Sequence, residues 1–343
     1  MKILFICKNR GTNYGYAGSV GLINSAKFVA EYLNSIGIES TLEVADDANA
    51  IDKLVVEHNP KLVVLEALWV TPEKIKELLS LHRHKHRNWI VRIHSRLPFL
   101  ANEGIAMDWL TRYREIQYHH DNFFVAPNDL STCQDLKVTL DLACKYLPNI
   151  YKPRAYDLPP KERHHKHHID IGCFGAIRPL KNQLIQAVAA ARFAIAVKKR
   201  LRFHMNTDRL EQGGQRVLEN IQSFLKGAGQ ELVFHSWMDH ENFVRVLQTM
   251  DLNLQVSLSE SFNIVSADSL AAGVPVVVSP EISWMPKQFM ADPNSSDAIV
   301  DKLLSINGMR DEAAALSFES LIEYNKAAEH TWCHVLRSLS LID

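Results

Sequence analysis

The stretch Asp251–Ser279, DLNLQVSLSESFNIVSADSLAAGVPVVVS, decides how the chain is interpreted. Its two apolar runs predict buried strands, and an acidic loop between them leads into a short helix. Ligands of open parallel sheets bind beyond the carboxyl ends of the strands, and the free N–H groups at a helix start bind phosphate. The stretch therefore predicts a binding site for a phosphorylated sugar.

Short apolar runs alternate with segments of helical period on both sides of this stretch, which is typical of βαβ units on parallel sheets. The predicted strands of the first half are Ile3–Ile6, Ser40–Val44 at a sheet edge, Leu62–Leu65, Ile90–Ile93 and Phe123–Ala126. Those of the second half are Ile169–Phe174, Leu201–Met205, Leu232–Phe234, Leu252–Val256 and Val274–Val278. This alternation predicts two doubly wound α/β domains.

The segment Leu147–His168 separates the two halves, and it carries four prolines and a dense run of Lys, Arg and His. Proline fixes φ and removes a hydrogen-bond donor, so this composition favours an exposed connector. We expect a first domain over residues 1–150, a linker over 151–168 and a second domain over 169–312. The remaining residues, 313–343, are expected to form helices that cross back to the first domain.

The composition limits the class of protein. With 343 residues and 47% hydrophobic content the chain can form a large core, and its net charge of −1 creates no global field toward nucleic acid or anionic membranes. The five cysteines are scattered and odd in number, which is typical of reduced thiols in the cytoplasm. No apolar run approaches the roughly 18 residues of a spanning helix. We therefore expect a cytoplasmic protein without a transmembrane segment.

Glu260 is the most informative side chain of the opening stretch. It follows a predicted strand and precedes a helix predicted over 263–272, so its carboxylate is expected where ligands of such sheets bind. Asp268 lies about two helical turns further on, on the same side of the helix. Glu260 could then hold sugar hydroxyls and Asp268 a ribose diol. The alternative is that Glu260 only caps the helix and Asp268 is a solvated charge.

A second loop, FGAIRPLKNQ over 174–183, follows the first predicted strand of the second half. Arg178 offers a fork of donors that matches phosphate oxygens, and Lys181 adds a point charge before a predicted helix. Such a pair would offset the charge of a leaving diphosphate. The alternative is two solvated basic residues at a helix start.

The string ESFNIVSADSLAAGVPVVVS, over 260–279, resembles the E-x7-E signature of retaining GT-B glycosyltransferases of the glycogen-synthase-like and sucrose-synthase-like group. Two positions depart from that pattern, because Asn263 replaces the usual Gly and Asp268 replaces the second Glu. The 174–183 loop is similar to the loop of this family whose Arg and Lys clamp the donor diphosphate. The resemblance implies the GT-B architecture, with two doubly wound Rossmann-like domains that face each other across a cleft.

The resemblance also implies roles for individual residues. His94, at the end of a predicted strand, would contact the donor sugar, with a purely structural histidine as the alternative; Arg92 and Arg96 would serve the acceptor side. The residues implied in catalysis are Glu260, Arg178, Lys181 and His94. The residues implied in donor binding are Gly18, Ser19, Ser261, Phe262, Asn263, Ile264, Asp268, Ser236, Trp237 and Met238.

The implied reaction moves a hexosyl or pentosyl group from a nucleotide-diphosphate sugar, a UDP-sugar being the first expectation, to an acceptor hydroxyl with retention of configuration. The nucleotide sugar is a co-substrate, and no metal or other cofactor is expected. The acceptor stays open among a glycan, a small molecule and a hydroxymethylated DNA base. The alternatives are a GT-B-fold nucleotide-sugar epimerase or phosphorylase, and a non-catalytic module that binds sugar or nucleic acid.

Two histidine-rich runs, His82–Arg87 and His164–His168, raise the question of a metal site. The interspersed Lys and Arg would repel a cation, so solvated basic loops are favoured. Contact with a polyanion such as DNA is the alternative.

Overall fold

The computed structural model describes residues 1–9, 20–153 and 167–343. The chain divides into two compact units. Unit 1 comprises Met1–Lys152 together with Asn325–Asp343, and unit 2 comprises Pro153–Tyr324.

Unit 1 is built on a parallel sheet of five strands in the order β2-β1-β3-β4-β5. The strands are β1 (Lys2–Lys8), β2 (Glu39–Ala45), β3 (Leu62–Glu66), β4 (Asn88–Ile93) and β5 (Phe123–Pro127). The helices between them are α1 (Val20–Ser35), α2 (Ala50–His58), α3 (Pro72–Ser80), α4 (Leu97–Leu100), α5 (Ala106–His119) and α6 (Leu130–Leu140). The strand order reverses between β1 and β3, which is the point where ligands of such sheets bind.

Unit 2 contains a second parallel sheet of five strands in the order β10-β9-β6-β7-β8. Its strands are β6 (His168–Gly172), β7 (Arg200–Asn206), β8 (Glu231–His235), β9 (Leu252–Gln255) and β10 (Val276–Val278). Its helices are α7 (Gln183–Ala196), α8 (Gly214–Gly227), α9 (His240–Gln248), α10 (Ile264–Ala271), α11 (Ser296–Asn307) and the first part of α12 (Arg310–Ser338). Here the order reverses between β6 and β9.

The predicted fold class is confirmed by these two parallel sheets. Every predicted strand overlaps an observed one, and β2 lies at a sheet edge as expected. Strands β3 and β9 are buried along their whole length; β3 is an apolar run that ends in Glu66, whereas β9 also carries the buried amides Asn253 and Gln255. None of the helices in the described part of the chain is long and apolar enough to cross a membrane.

The start of the expected exposed connector is buried, so that part of the interpretation was wrong. Leu147, Asn149 and Tyr151 are all nearly inaccessible to solvent. The backbone carbonyls of Leu147 and Pro148 accept hydrogen bonds from the buried Arg92, at 3.1 and 2.9 Å. The described residues 147–153 form no helix or strand, but the proline composition gave no sign that a buried guanidinium needs their carbonyls.

Helix α12 begins in unit 2 and ends in unit 1, where it supplies Trp332 to the core. The Trp332 indole donates to the Pro148 carbonyl at 2.9 Å, and the Arg92 guanidinium lies over its ring at 5.3 Å. Leu321 is also fully buried, whereas Leu316 is exposed.

We predict that Trp332→Ala lowers the free energy of unfolding by about 3–5 kcal/mol, because a large buried ring is lost. Trp332→Phe is the matched control: it keeps an aromatic ring but loses the indole N–H, and should cost only about 1 kcal/mol. Urea unfolding of both variants measures the difference. Equal losses would show that the hydrogen bond to Pro148, rather than packing, fixes this end of α12.

Candidate active site in unit 2

The two loops that follow β6 and β9 lie side by side, because these strands are neighbours in the sheet. The Leu258 N–H donates to the Leu180 carbonyl at 2.9 Å. The Asn182 side chain donates to the Val256 carbonyl at 3.1 Å. The loop that carries Arg178 and Lys181 is therefore fixed to the loop that carries Glu260.

Lys181 and Glu260 form an ion pair, with the Lys181 ammonium donating to Glu260 Oε1. Their side chains are 12% and 9% exposed. A partly exposed cation and a carboxylate thus meet at the carboxyl edge of the sheet, at its point of strand-order reversal. The sequence placed each residue in a loop, and the structure brings the two together.

Arg178 is held by Glu211, a residue that the sequence analysis did not identify. Arg178 Nη1 lies 2.8 Å from Glu211 Oε2, and Arg209 Nε lies 2.6 Å from Glu211 Oε1. Burial acts to raise the pKa of Glu211, but the charges and hydrogen bonds of the two arginines lower it below its ordinary value. Two guanidinium groups share one carboxylate, so this cluster keeps a net positive charge.

The loop after β7 is fitted closely against the loop after β6. The Glu211 N–H donates to the Ile177 carbonyl at 2.9 Å, and the Ile177 N–H donates to the Arg209 carbonyl at 2.9 Å. A Cβ at Gly214 would lie 2.0 Å from the Ile177 carbonyl oxygen, so only glycine fits there. This packing sets the position from which Arg178 extends.

Asn263, the position where the family pattern has glycine, is the N-cap of helix α10. Asn263 has a left-handed backbone (φ 63°), a conformation that glycine and asparagine tolerate best. Its side-chain oxygen accepts from the Ser266 N–H at 2.9 Å, and its side-chain nitrogen donates to Gln255 at 2.8 Å. Asparagine therefore keeps the backbone shape of the motif and adds a helix cap. Helix α10 starts at Ile264, so the N–H groups of its first turn are close to Glu260 in the sequence.

Phe262 and Trp284 form an apolar support beneath this loop. The Phe262 ring is buried against Trp284 and Tyr324, with ring centroids 5.6 and 5.3 Å away. The Trp284 indole donates to the Phe262 carbonyl at 2.7 Å. Phe262 thus contributes packing through its side chain, and only its backbone N–H is a candidate for ligand binding. Ser261 and Ile264 flank it in the same loop and helix start.

Asp268, on α10, is bound to His240, the first residue of α9. His240 Nε2 lies 2.7 Å from Asp268 Oδ1. The Asp268 side chain is 3% exposed and the His240 side chain 13%. The imidazole is therefore the more accessible member of this pair.

The loop after β8 contains Ser236, Trp237 and Met238. The Trp237 N–H donates to Asp208 at 2.7 Å, and its indole is about half exposed. This arrangement ties the loop after β8 to the loop after β7.

Several buried hydroxyl groups lie close to these strand ends. Across residues 1–9, 20–153 and 167–343, the hydroxyls of Ser257, Ser259 and Ser279 are buried without a hydrogen-bond partner. Buried polar groups normally have partners. These hydroxyls follow β9 and β10, at the carboxyl edge of the sheet, where they could bond to water or to a polar ligand.

In unit 1, the predicted residues Arg92 and His94 both contact Glu66, at the end of β3. Arg92 is fully buried, with Nη1 lying 3.3 Å from each Glu66 carboxylate oxygen, and His94 Nε2 is bonded to Oε2 of the same carboxylate. Burial would raise the pKa of Glu66, but Arg92 and His94 lower it. Burial and the Arg92 charge lower the pKa of His94, against the opposing effect of Glu66. These two effects favour a Glu66 carboxylate beside a neutral His94.

The other residues predicted in unit 1 are less closely grouped. Arg96 bonds to Ser131 at 3.0 Å and lies 3.4 Å from Asp129 at the start of α6. Gly18 and Ser19 lie outside the described residues, as do His164 and His165. His84 and Arg83 are paired with Asp52 of α2, so part of that histidine-rich run is structural. In the described part of the chain, no group of three or more His, Cys, Asp or Glu is placed to hold a metal ion.

Residues 168–307 match the family model described as glycosyl transferases group 1. No curated protein sequence matches the chain significantly.

Solved structures share the fold over nearly the whole chain. HepE from Anabaena, in complex with UDP and glucose, has 15% sequence identity and a TM-score of 0.67, with 100% of both chains covered. Sucrose-phosphate synthase from Thermosynechococcus elongatus has 13% identity and a TM-score of 0.70, with 98% of both chains covered. A UDP-forming α,α-trehalose-phosphate synthase from Burkholderia xenovorans has 10% identity and a TM-score of 0.65, over 99% of this chain and 100% of that one. The likeness to these structures shows a GT-B-type fold, and the family match covers the 168–307 part of the chain.

We predict that Asn263→Ala destabilises unit 2 more than Asn263→Gly does. Both variants lose the cap on α10 and the contact with Gln255, but only alanine is strained in the left-handed region, by about 1–2 kcal/mol. Urea unfolding measures the difference between the two variants. If alanine were tolerated as well as glycine, the backbone conformation would not explain the residue at this position.

Proposed function

We propose that the protein is a retaining GT-B glycosyltransferase that moves a sugar from a UDP-sugar to an acceptor hydroxyl. The observation that carries this proposal is the meeting of Lys181 and Glu260 at the strand-order reversal of unit 2, with Arg178 in the same loop as Lys181 and α10 starting shortly after Glu260. UDP is favoured because HepE, which shares the fold, has been solved with UDP and glucose and with UDP-glucose.

The donor diphosphate would be held by Arg178, Lys181 and the N–H groups at the start of α10. A diphosphate brings two or more negative charges, which match the guanidinium fork and the ammonium group. Lys181 is already bonded to Glu260, so the diphosphate would share or replace that contact. The helix start adds partial positive charge without a further side chain.

The chemical step would be a front-side displacement. The acceptor oxygen forms a bond to the anomeric carbon on the face from which the diphosphate departs, and the hydroxyl proton passes to a diphosphate oxygen. Arg178 and Lys181 stabilise the negative charge that develops on the leaving group. Glu260 accepts hydrogen bonds from sugar hydroxyls and orients the sugar for attack. Retention is inferred from the resemblance of the 260–268 segment to the E-x7-E signature.

The nucleoside would be held by residues after β8 and on α10. We assign the ribose contact to the Asp268–His240 pair, whose imidazole is its accessible part. The segment Ser236–Met238 would bind the base. Ser261, Phe262, Asn263 and Ile264 would contribute backbone groups near the diphosphate.

The roles of the unit 1 residues stay predictions. His94 would contact the sugar, oriented by Glu66, and Arg92 would act only indirectly because its guanidinium is buried against Glu66 and the Leu147–Pro148 carbonyls. Arg96 would serve the acceptor side, and Gly18 and Ser19 would contact the donor.

The decisive experiment incubates the protein with a panel of nucleotide sugars and follows slow donor hydrolysis by nuclear magnetic resonance. We expect hydrolysis of a UDP-sugar, with an α-configured donor giving an initially α-configured sugar. Initial inversion would contradict retention, an epimerised donor would favour the epimerase, and binding without turnover would favour a non-catalytic module. Glycans, small alcohols and hydroxymethylated duplex DNA are then added as candidate acceptors.

We predict that Glu260→Gln lowers the turnover rate by at least about tenfold. UDP affinity should change little, because the variant keeps all the proposed diphosphate contacts. Glu312→Gln, an exposed acid on α12, is the matched control and should keep wild-type activity. Wild-type turnover in Glu260→Gln would remove Glu260 from the site.

We predict that Arg178→Glu weakens UDP binding by about 10–100-fold, because a charged hydrogen-bonding partner is lost and Glu211 is left beside a second acid. Arg216→Glu, an exposed change on α8, is the control for a general charge effect. Isothermal titration calorimetry measures both affinities, and an equal effect of the two variants would exclude a direct role for Arg178.

A further inference from the structure

The pairing of β6 with β9 ends before the candidate site begins. Among the described residues, the register joins Ile171 to Leu252 and Gly172 to Asn253 and stops there. The two strands then diverge, which leaves room for a ligand at the carboxyl edge of the sheet. The chain that leads from β9 to Glu260 therefore needs partners other than β6.

Gln186, near the start of α7, supplies such a partner. Its Nε2 donates to the Lys181 carbonyl at 2.7 Å, and its Oε1 accepts from the Val256 N–H at 2.8 Å. Side chains of a helix lean toward its N-terminus, so this residue reaches the loop that precedes the helix. Gln186 is 1% exposed, and its amide thus joins the loop after β6 to the end of β9 in the interior of unit 2.

The bonds of Gln186 hold the two backbones that carry the ion pair of the candidate site. Lys181 is bonded through its own carbonyl, and Val256 lies four residues before Glu260. The Val256 carbonyl accepts from the Asn182 side chain at 3.1 Å, so both of its backbone groups are bonded to side chains. The separation of Lys181 from Glu260 is therefore set in part by side-chain amides, where the strand ladder has ended.

Gln255, the last residue of β9, forms a second bridge of this kind. Its Nε2 donates to the Phe174 carbonyl at 2.9 Å, and its Oε1 accepts from the Asn263 side chain at 2.8 Å. The residue is 3% exposed. This bridge joins the start of the loop that carries Arg178 to the N-cap of α10. Two buried glutamines thus connect the two loops of the candidate site.

We propose that Gln186 is a positioning residue of the donor site, which holds Lys181 at the separation from Glu260 that a sugar diphosphate requires. This inference rests on the proposed function and adds a residue that acts through these two side chains rather than by contact with the donor. An apolar side chain of the same length would leave the Lys181 carbonyl and the Val256 N–H buried without their partners, which costs free energy. Movement of the loops toward water would restore those bonds and misplace the ammonium group. The role therefore depends on the hydrogen bonds of Gln186 rather than on its volume.

The test replaces the amide by a carboxyl group, Gln186→Glu, and measures the affinity for UDP-glucose by calorimetry between about pH 5 and about pH 8. A neutral carboxyl group has one donor and one acceptor, like the amide, whereas a carboxylate only accepts and would face the Lys181 carbonyl. Burial raises the pKa of the introduced group, so its neutral form gains as the pH falls. UDP-glucose is the probe because its diphosphate, esterified at both ends, keeps one charge state over this range. Where another nucleotide sugar of the panel binds more tightly, it replaces UDP-glucose.

Relative to the wild-type protein at the same pH, we expect Gln186→Glu to bind about tenfold more weakly at about pH 8 and within about threefold at about pH 5. The affinity is lost as the pH rises through the raised pKa of the introduced carboxyl group, because only its neutral form donates to the Lys181 carbonyl. The wild-type protein carries the same Arg178, Lys181 and Glu260, so the ratio of the two affinities isolates the introduced group.

Two further variants serve as controls. Gln186→Met keeps the length of the side chain but removes both hydrogen bonds, so its affinity should be about tenfold weaker at both ends of the pH range. Gln222→Glu introduces the same carboxyl group at an exposed position of α8 and should bind as the wild-type protein does. Urea unfolding at each pH shows that the proteins compared are folded. The comparison of Gln186→Glu with itself at two pH values does not require Gln186→Met to fold.

The outcomes separate this inference from the proposed function. A merely structural role would lower the free energy of unfolding without a recovery of affinity at low pH. Wild-type affinity in Gln186→Met, or a loss in Gln186→Glu that persists at about pH 5, overturns the role of Gln186 and leaves the glycosyltransferase proposal standing. Failure of the wild-type protein to bind any nucleotide sugar overturns both.

Discussion

The pairing of β6 with β9 is the constraint on which the candidate site depends. These strands are distant in sequence but adjacent in the sheet, so the loops that follow them must lie side by side. Lys181 and Glu260 meet for that reason, and the bonds from Leu258 to Leu180 and from Asn182 to Val256 hold the two loops in place. The strand order of a parallel sheet thus determines where a ligand can bind, because only at the point of reversal do two neighbouring loops diverge and leave room for it.

The charges of the candidate site are only partly balanced by ion pairs. Lys181 is matched by Glu260, while Arg178 and Arg209 share Glu211. A cation that is mostly buried needs a nearby carboxylate for stability. Glu211 provides that carboxylate for Arg178, and because Arg209 shares it, the cluster keeps the excess positive charge that the proposed diphosphate contact would use. In unit 1 the Arg92 guanidinium is paired only for stability. It donates to Glu66, to the Leu147 and Pro148 carbonyls and to the Asn149 side chain.

The sequence was informative where a feature is local. Strands such as β1, β3 and β10 appear as apolar runs, and Glu260, Arg178 and Lys181 could be placed in loops after strands because each lies within nine residues of the end of its strand. Features that depend on partners far along the chain could not be found in this way. Glu211 lies in the loop after β7, and Gln186 and Val256 are separated by 70 residues, so only the folded structure reveals their contacts. The burial of Leu147–Tyr151 was missed for the same reason, since the buried Arg92 that requires those carbonyls lies more than fifty residues earlier.

The two departures from the family pattern have different physical meanings. Asn263 preserves what glycine provides, a left-handed backbone at the helix start, and adds a cap and a bond to Gln255. Asp268 changes what the position can reach, because its side chain is one methylene shorter than that of glutamate and its carboxylate is almost fully buried. His240 bonds to that carboxylate and is more exposed, so the group presented at this position is an imidazole rather than a carboxylate. An imidazole bound to a carboxylate through Nε2 can still form hydrogen bonds with hydroxyl groups. On the proposed function, the ribose contact would therefore pass through His240, and α9 would contribute to the donor site.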